Sequence, residues 1–381
     1  MPDIPHLFRP LTLRSITSRN RIVISPMCQY SAHEGYVNDW HLVNLGRFAT
    51  GGAGIVFTEA TAVQKAGRIT HGCPGLWEDG QIAGHARLAR FALDNGALPG
   101  VQLGHAGRKG GMQRPWFGNG PLGVADTARG DLGWKPLGPS AIPVADGWPE
   151  PHALSKGEIA ALVDDYAAAA GRAREAGYRI VELHGAHGYL IHSFLSPLSN
   201  RREDSYGGDL KGRMRLALEA AEAVRGALPD ELPLFFRTSA VDGGADGWQL
   251  DDTVVLARAL KGLGVDVMDC SSGGIAGPAT AGGRRQPGFQ VPYAAKVREG
   301  AGMMTQAVGL ITHPVQAEAI LAEGQADLIA IAREALANPN WALHAKQTLM
   351  PGAGYASWPE QSGWWLAMRE KTSDFYQPEG G

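Results

Sequence analysis

The chain is poor in cysteine, in net charge and in long apolar runs, and each scarcity removes a class of answers. Three cysteines in 381 residues, Cys28, Cys73 and Cys270, cannot form a disulfide framework, and none has the C-x-x-C spacing of a zinc or iron–sulfur site. Lys and Arg number 35 against 38 Asp and Glu, a net charge of -3, and no stretch gathers basic residues into a nucleic-acid face. No run of about 18 apolar residues exists that could span a bilayer. The opening "MPDIPHLFRP" lacks the basic region and apolar stretch of an export signal. A soluble protein of a reduced, cytoplasmic compartment is the expectation. No G-x-G-x-x-G follows a strand either, so a nicotinamide would have no Rossmann motif to bind.

What is present is a large core: 44% of the residues are hydrophobic. Eight short β-branched runs each stop at a turn: "RIVISPM", "GIVFTEA", "LPGVQLGH", "RIVELHGA", "PLFFRTSA", "VDVMDCSS", "MTQAVGLI" and "ADLIAIAR". Helical patterns lie between them. In "SKGEIAALVDDYAAAAGRAREAG", Ser155 and Glu158 form a capping box, Ile159, Leu162, Val163, Tyr166 and Ala170 share one face, and Gly177 closes the helix. Other helices are expected near Asp39, Asp79, Leu210, Asp251, Pro292, Pro314 and Glu334. Strands apolar on both faces, alternating eight times with helices, indicate one closed (β/α)8 barrel over 1–381, preceded by an N-terminal hairpin. The connection after strand three, 108–152, is too long for a plain loop. Its Trp116, Trp134 and Trp148 argue for packing, as a lid or small β subdomain over the pocket.

Catalytic residues of such barrels come from the C-terminal ends of the strands. "ELHGAHGYLIHSFLSP", Glu182 to Pro197, places His184 and His187 there in H-x-x-H spacing. Cys28, Gln29, Gln102, His105, Arg237 and Arg333 reach the same rim. Any one of these alone is as well explained as a cap or a satisfied core group; their convergence points to a site. The two histidines admit a metal-dependent hydrolase, but strand ends one, five and six offer Cys28, Arg237 and Cys270 in place of further ligands, and an arginine repels a cation. A non-catalytic cofactor-binding or assembly protein is the other alternative; it would give Tyr189 and both histidines no reason to converge.

The stretches "SPMCQYSA", "GYVNDWHLVNLGRFA", "VQLGHAGRK", "HGAHGYLIHSFLSPLSNRREDSYGG" and "FFRTSA" together resemble the Old Yellow Enzyme family of flavin-dependent ene-reductases, in its bacterial branch that includes xenobiotic reductases. The resemblance runs in order from Leu7 to Glu334. It implies a bound FMN reduced by NADPH or NADH. Ser25, Pro26, Met27 and Cys28 would line one edge of the FMN, with Ala60 and Gln102 against its ring. Arg237 would stabilise negative charge near N1 of the reduced flavin. The phosphate would rest against Gly309, Ala332 and Arg333, where barrels commonly bind one. The family usually has Gly where this chain has Ala332, so a slightly altered fit is expected.

By the same resemblance, His184 and His187 would donate hydrogen bonds to the oxygen of an activated alkene (enone, enal, maleimide or nitroalkene). Tyr189 would deliver the proton to the α-carbon, in ping-pong turnover. Tyr30 would touch the substrate and Cys28 would touch the flavin and tune its potential, whereas His192 is read as structural. The tail, 350–381, carries "SWPEQSGWWLAMR". In the bacterial branch a matching tail inserts an arginine into a neighbouring subunit's site; that position here holds Trp364. A homodimer, or an assembly of dimers, in which Trp364 walls the partner's pocket is therefore expected.

Overall fold

The computed structural model describes residues 4–276 and 285–372. Eight parallel strands close into a barrel: β1 (Ile22–Ile24), β2 (Ile55–Ala62), β3 (Leu98–Gly104), β4 (Ile180–Gly185), β5 (Leu234–Ser239), β6 (Val267–Ser271), β7 (Met304–Ala307) and β8 (Leu328–Ile331). Seven fall within their apolar runs, and β2 continues two residues past its own, to Ala62. Nearly every strand residue is buried because side chains pointing outward meet helices and those pointing inward meet one another. Between strands run α1 (Asp39–Thr50), α2 (Ile82–Asp94), α3 (Lys156–Glu175), α4 (Leu210–Ala227), α5 (Leu250–Gly262), α6 (Val291–Ala301) and α7 (Pro314–Ala322).

Helix starts follow their caps. The Glu158 N–H donates to Ser155 Oγ at 3.3 Å, and the Ser155 N–H to Glu158 Oε2 at 2.7 Å, the capping box read from the sequence. Gly177, at φ 90°, then turns the chain after α3.

The barrel interior is layered. At the N-terminal end Val23, Ile55, Phe57, Ile180, Phe235, Val267 and Leu328 form an apolar plug. Leu11 and Leu13 of the antiparallel hairpin Leu11–Leu13/Ile16–Ser18 join it and seal that mouth. Arg14 at the hairpin turn anchors it, donating to both Asp266 oxygens at 2.8 Å. Above the plug the inward residues become polar, and there the site begins.

The 108–152 segment carries a short helix, Val124–Ala128, and contributes to a separate two-stranded sheet in which Leu137–Gly138 pairs in parallel with His152–Ala153. Trp134 donates to the Ala66 carbonyl at 2.9 Å and Trp148 packs against the cluster of Ile69, Cys73, Ala106, Met112 and Tyr189, whereas Trp116 is exposed, its ring in edge contact with Tyr30 and Phe117. Beyond the barrel, α8 (Trp341–Leu349) and α9 (Glu360–Thr372) form the tail; its expected extent to 381 passes outside the described residues.

Candidate active site

The turn after β4 carries three of the expected residues on a tightly held backbone. His187 sits at φ 60°, a conformation costly for a non-glycine residue and held only where the surroundings enforce it. They do so at four points. The His187 N–H donates to Ser239 Oγ at 2.9 Å, and the Gly188 N–H to His192 Nδ1 at 2.8 Å. His192 Nε2 in turn donates to buried Asp242 at 2.8 Å. Lys109 Nζ donates to the carbonyls of His187, at 2.7 Å, and Gly274. His192 is thus the structural brace expected of it.

Those bonds fix the rings. Centroids of His184 and His187 lie 5.2 Å apart at 86°, and Tyr189 stands 5.0 Å from His184. Burial, and secondly Arg237, hold both histidines well below the ordinary imidazole value, so each is neutral at pH 7. The Ala186 N–H donates to His184 Nδ1 at 3.3 Å, which puts that ring's proton on Nε2. Gln290 Nε2 donates to Ser271 Oγ at 3.1 Å, and Ser271 Oγ lies 2.7 Å from His187 Nε2. A Ser271 hydroxyl that donates to Nε2 leaves the proton of His187 on Nδ1. Burial raises the Tyr189 phenol well above its ordinary value, keeping it protonated.

Cys28, Tyr30 and Ala60 pack beside Tyr189, with Ile69, Cys73, Ala106 and Met112 completing an apolar wall. Tyr30 also has positive φ, 50°. Its turn is held by Glu59, a carboxyl lifted out of strand register at a bulge in β2, which accepts the Gln29 N–H at 2.7 Å and the Tyr30 N–H at 3.4 Å. Burial pushes Cys28 and Tyr30 up, so thiol and phenol stay protonated.

The floor is Arg237, and the register sets a carboxylate the sequence pattern does not point to, Asp269 of β6, opposite it, 3.3 Å from Nε. Cys270, expected at the rim, points away from the barrel axis into the helical layer, so Asp269 and Ser271 face inward instead. Gln102 donates to Glu182 on the neighbouring strand at 2.8 Å.

From His187 and Arg237 a cavity of about 490 Å³ runs to Gly309, Ala332 and Arg333. Its residues fit a flavin phosphate and ring. Arg333 has no ion-pair partner among the described residues. Gly309 is at φ 114°, and a Cβ there would sit 2.6 Å from Gln290 Oε1. Buried Ser25 Oγ and Arg237 Nε lack hydrogen-bond partners. Ala332, at φ -117°, does not use the left-handed backbone that would require glycine. Pro26 and Met27 continue from Ser25 beyond β1.

Trp364 lies apart from this cluster on α9; it and Trp365 are 58% and 69% exposed, their rings 4.7 Å apart. Reading the sequence missed Lys109, Glu59, Ser271, Gln290 and Asp269. Lys109 lay within a quoted motif and Asp269 broke an apolar strand, which are usable signals; Ser271 and Gln290 gave none. Among the described residues no group of three or more His, Cys, Asp or Glu is placed to hold a metal ion, and no helix is long and apolar enough to cross a membrane.

Comparison with known proteins agrees with this geometry. An NADPH dehydrogenase of Geobacillus sp. (strain WCH70) is 42% identical over 345 residues, covering 90% of this chain and 94% of that protein. An NADH:flavin oxidoreductase of Gibberella zeae is 41% identical over 334 residues, covering 84% and 80%. Morphinone reductase in complex with tetrahydroNAD superposes with a TM-score of 0.73 at 25% identity, covering 91% of each chain. The profile of the NADH:flavin oxidoreductase / NADH oxidase family matches residues 6–351. The chain belongs to that family, a member of the Old Yellow Enzyme group, and is an FMN-dependent NAD(P)H oxidoreductase on a (β/α)8 barrel.

Proposed function

We propose that the enzyme reduces activated alkenes: enones, enals, maleimides or nitroalkenes. The observation that carries this reading is the pair of neutral imidazoles, each held by a fixed partner, beside a phenol that stays protonated. FMN, when bound, would supply the two-electron chemistry that links NADPH or NADH to the alkene's β-carbon. His184 and His187 donate to the substrate's carbonyl or nitro oxygen, where negative charge builds as the β-carbon is reduced, and preorganised donors stabilise that charge. Tyr189 delivers its proton to the α-carbon. Tyr30 contacts the substrate, and the Cys28 thiol lies against the flavin. Ser25, Pro26, Met27, Ala60, Gln102 and Arg237 hold the ring; Gly309, Ala332 and Arg333 hold the phosphate. The 108–152 segment acts as the lid, with Trp148 nearest the alkene.

Alkene and nicotinamide share one pocket in this reading, so turnover is ping-pong. Anaerobic reduction of the flavin by each nicotinamide, followed by mixing with a panel of enones, maleimides and nitro compounds, tests it. Reoxidation by the alkenes in the absence of oxygen is expected; a reduced enzyme inert to the whole panel refutes the reading.

Trp364 is proposed to complete a partner subunit's pocket in a homodimer. Its exposure supports this, because an indole with more than half its surface in water gains by being covered. Mixing a His184→Ala/His187→Ala protein with a Trp364→Ala protein, with subunit exchange confirmed by mass, should restore activity on bulky substrates above either parent. Full activity of a monomer at assay concentration would end the shared-site idea.

A further inference from the structure

Beneath the flavin bed lies a layer of charge that the alkene chemistry leaves unused. Five adjacent strands supply it: Gln102 from β3, Glu182 from β4, Arg237 from β5, Asp269 from β6 and Gln306 from β7. The register sets Ala60 of β2 beside Gln102 and Leu328 of β8 beside Gln306. Glu182 and Asp269 are both 0% exposed. We propose that Glu182 and Asp269 are a proton-holding pair: with Arg237 they bind one proton between them, and they bind it more tightly once the flavin above is reduced.

Charge and hydrogen bonding lead to the same conclusion. Two ionised carboxylates and one guanidinium leave a net negative charge in a dry interior, which is strongly disfavoured; one proton brings the layer to neutrality. Buried Glu182 Oε2 has no hydrogen-bond partner, and neither Asp269 oxygen has one of good geometry, although Arg237 Nε lies 3.3 Å away. A carboxylate so poorly supplied with donors is better off protonated. Burial raises both acids. Asp269 raises Glu182 further, to about 8, and Arg237 opposes both, while Gln102 and Gln306 act weakly in the same sense as Arg237. The histidines above, His184 and His187, are neutral, and Lys109, bonded to the carbonyls of His187 and Gly274, is lowered to about 7 by burial and secondly by Arg108, below the window in which the pair is read.

The pair reaches the cofactor through two side chains. Gln102 spends its amide N–H on Glu182, and Arg237 faces Asp269 with Nε. With both carboxylates ionised the floor is net negative around Arg237; with one proton on the pair it is neutral. Two electrons and one proton entering the flavin leave an anion beside Arg237, and that added negative charge increases the pair's proton affinity. Between the affinities of the oxidised and reduced states, oxidised flavin and the ionised pair therefore consume two electrons and two protons, one proton on the flavin and one on the pair. Reoxidation returns the second proton to solvent.

The inference rests on the flavin site and not on the alkene reading. Its test is a spectroelectrochemical titration of the holoenzyme from about pH 6 to about pH 10. The native enzyme should take up one proton per two electrons near neutrality and two in a window above about pH 8, whereas Glu182→Gln and Asp269→Asn should each take up one throughout. Native uptake fixed at one proton, or variants that keep the steep section, overturns the proposal. A second readout needs no variant to fold. The infrared spectrum of the oxidised native enzyme at neutral pH should contain a buried carboxylic-acid carbonyl band that both substitutions remove and Glu59→Gln keeps, Glu59 being the site's other buried carboxyl that burial raises to about 8; a native spectrum with no band of this kind also overturns the proposal. Neither readout changes if the alkene panel fails.

Discussion

Removing one hydroxyl measures how far the chemistry depends on the tautomer of His187. In Ser271→Ala the imidazole loses the partner 2.7 Å from Nε2, and Gln290 loses one of its two serine acceptors. A buried nitrogen left without a partner costs about 1–3 kcal/mol. The ring escapes that cost by moving its proton to Nε2 or by rotating, and both remove the N–H aimed at the substrate. At about 1.4 kcal/mol per factor of ten, alkene-dependent reoxidation should slow about 5- to 150-fold. His187→Ala, which deletes the donor itself, sets the lower bound at about 10²- to 10³-fold. Anaerobic stopped flow with a cyclic enone, following flavin absorbance after reduction with limiting NADPH, reads the step directly. A Ser271→Ala rate within about twofold of native would refute the tautomer assignment.

Tyr189→Phe should slow reoxidation by a weakly activated alkene but leave flavin reduction by NADPH unchanged, since only the first step uses the phenol; equal slowing of both half-reactions would make the residue structural. Lys109→Met strands the carbonyls of His187 and Gly274, so it should lower stability by about 1–3 kcal/mol in a denaturant titration and slow reoxidation together; loss of neither would show the clamp to be idle. Because burial holds His184 and His187 well below the ordinary imidazole value, lowering the pH through 6.5 protonates neither. Reoxidation rates should therefore show no imidazole-like titration near that pH, and a drop of half or more centred there would contradict the neutral pair.

The fold was legible because it depends on patterns local to each segment. Eight runs apolar on both faces gave eight buried parallel strands, and the Ser155–Glu158 box began α3. Within the site, residues clustered in one stretch were legible, His184 through Tyr189 above all. Partnerships between strands were not. Arg237 meets Asp269, and Gln102 meets Glu182, only through the register, which depends on the closure of the whole ring. The outward turn of Cys270 has the same origin: a strand alternates faces every residue, so placing a residue at a strand end does not say which way it points. Ser271 and Gln290 come from different elements, and polar residues of ordinary type carry no mark of their bond until the loop brings them together.

Closure itself has a consequence for how the enzyme is made. The ring is joined by pairing Ile22 with Ile329 and Ile24 with Ile331, the first barrel strand with the last. A growing chain emerging from the ribosome therefore carries two raw sheet edges until β8 has been synthesised, and Arg333 at the cavity's far end arrives later still. Unpaired edges on a half-built parallel sheet recruit other chains. Expression yield should therefore depend on translation speed and chaperone supply, and truncations ending before β8 should accumulate as aggregates instead of smaller soluble proteins.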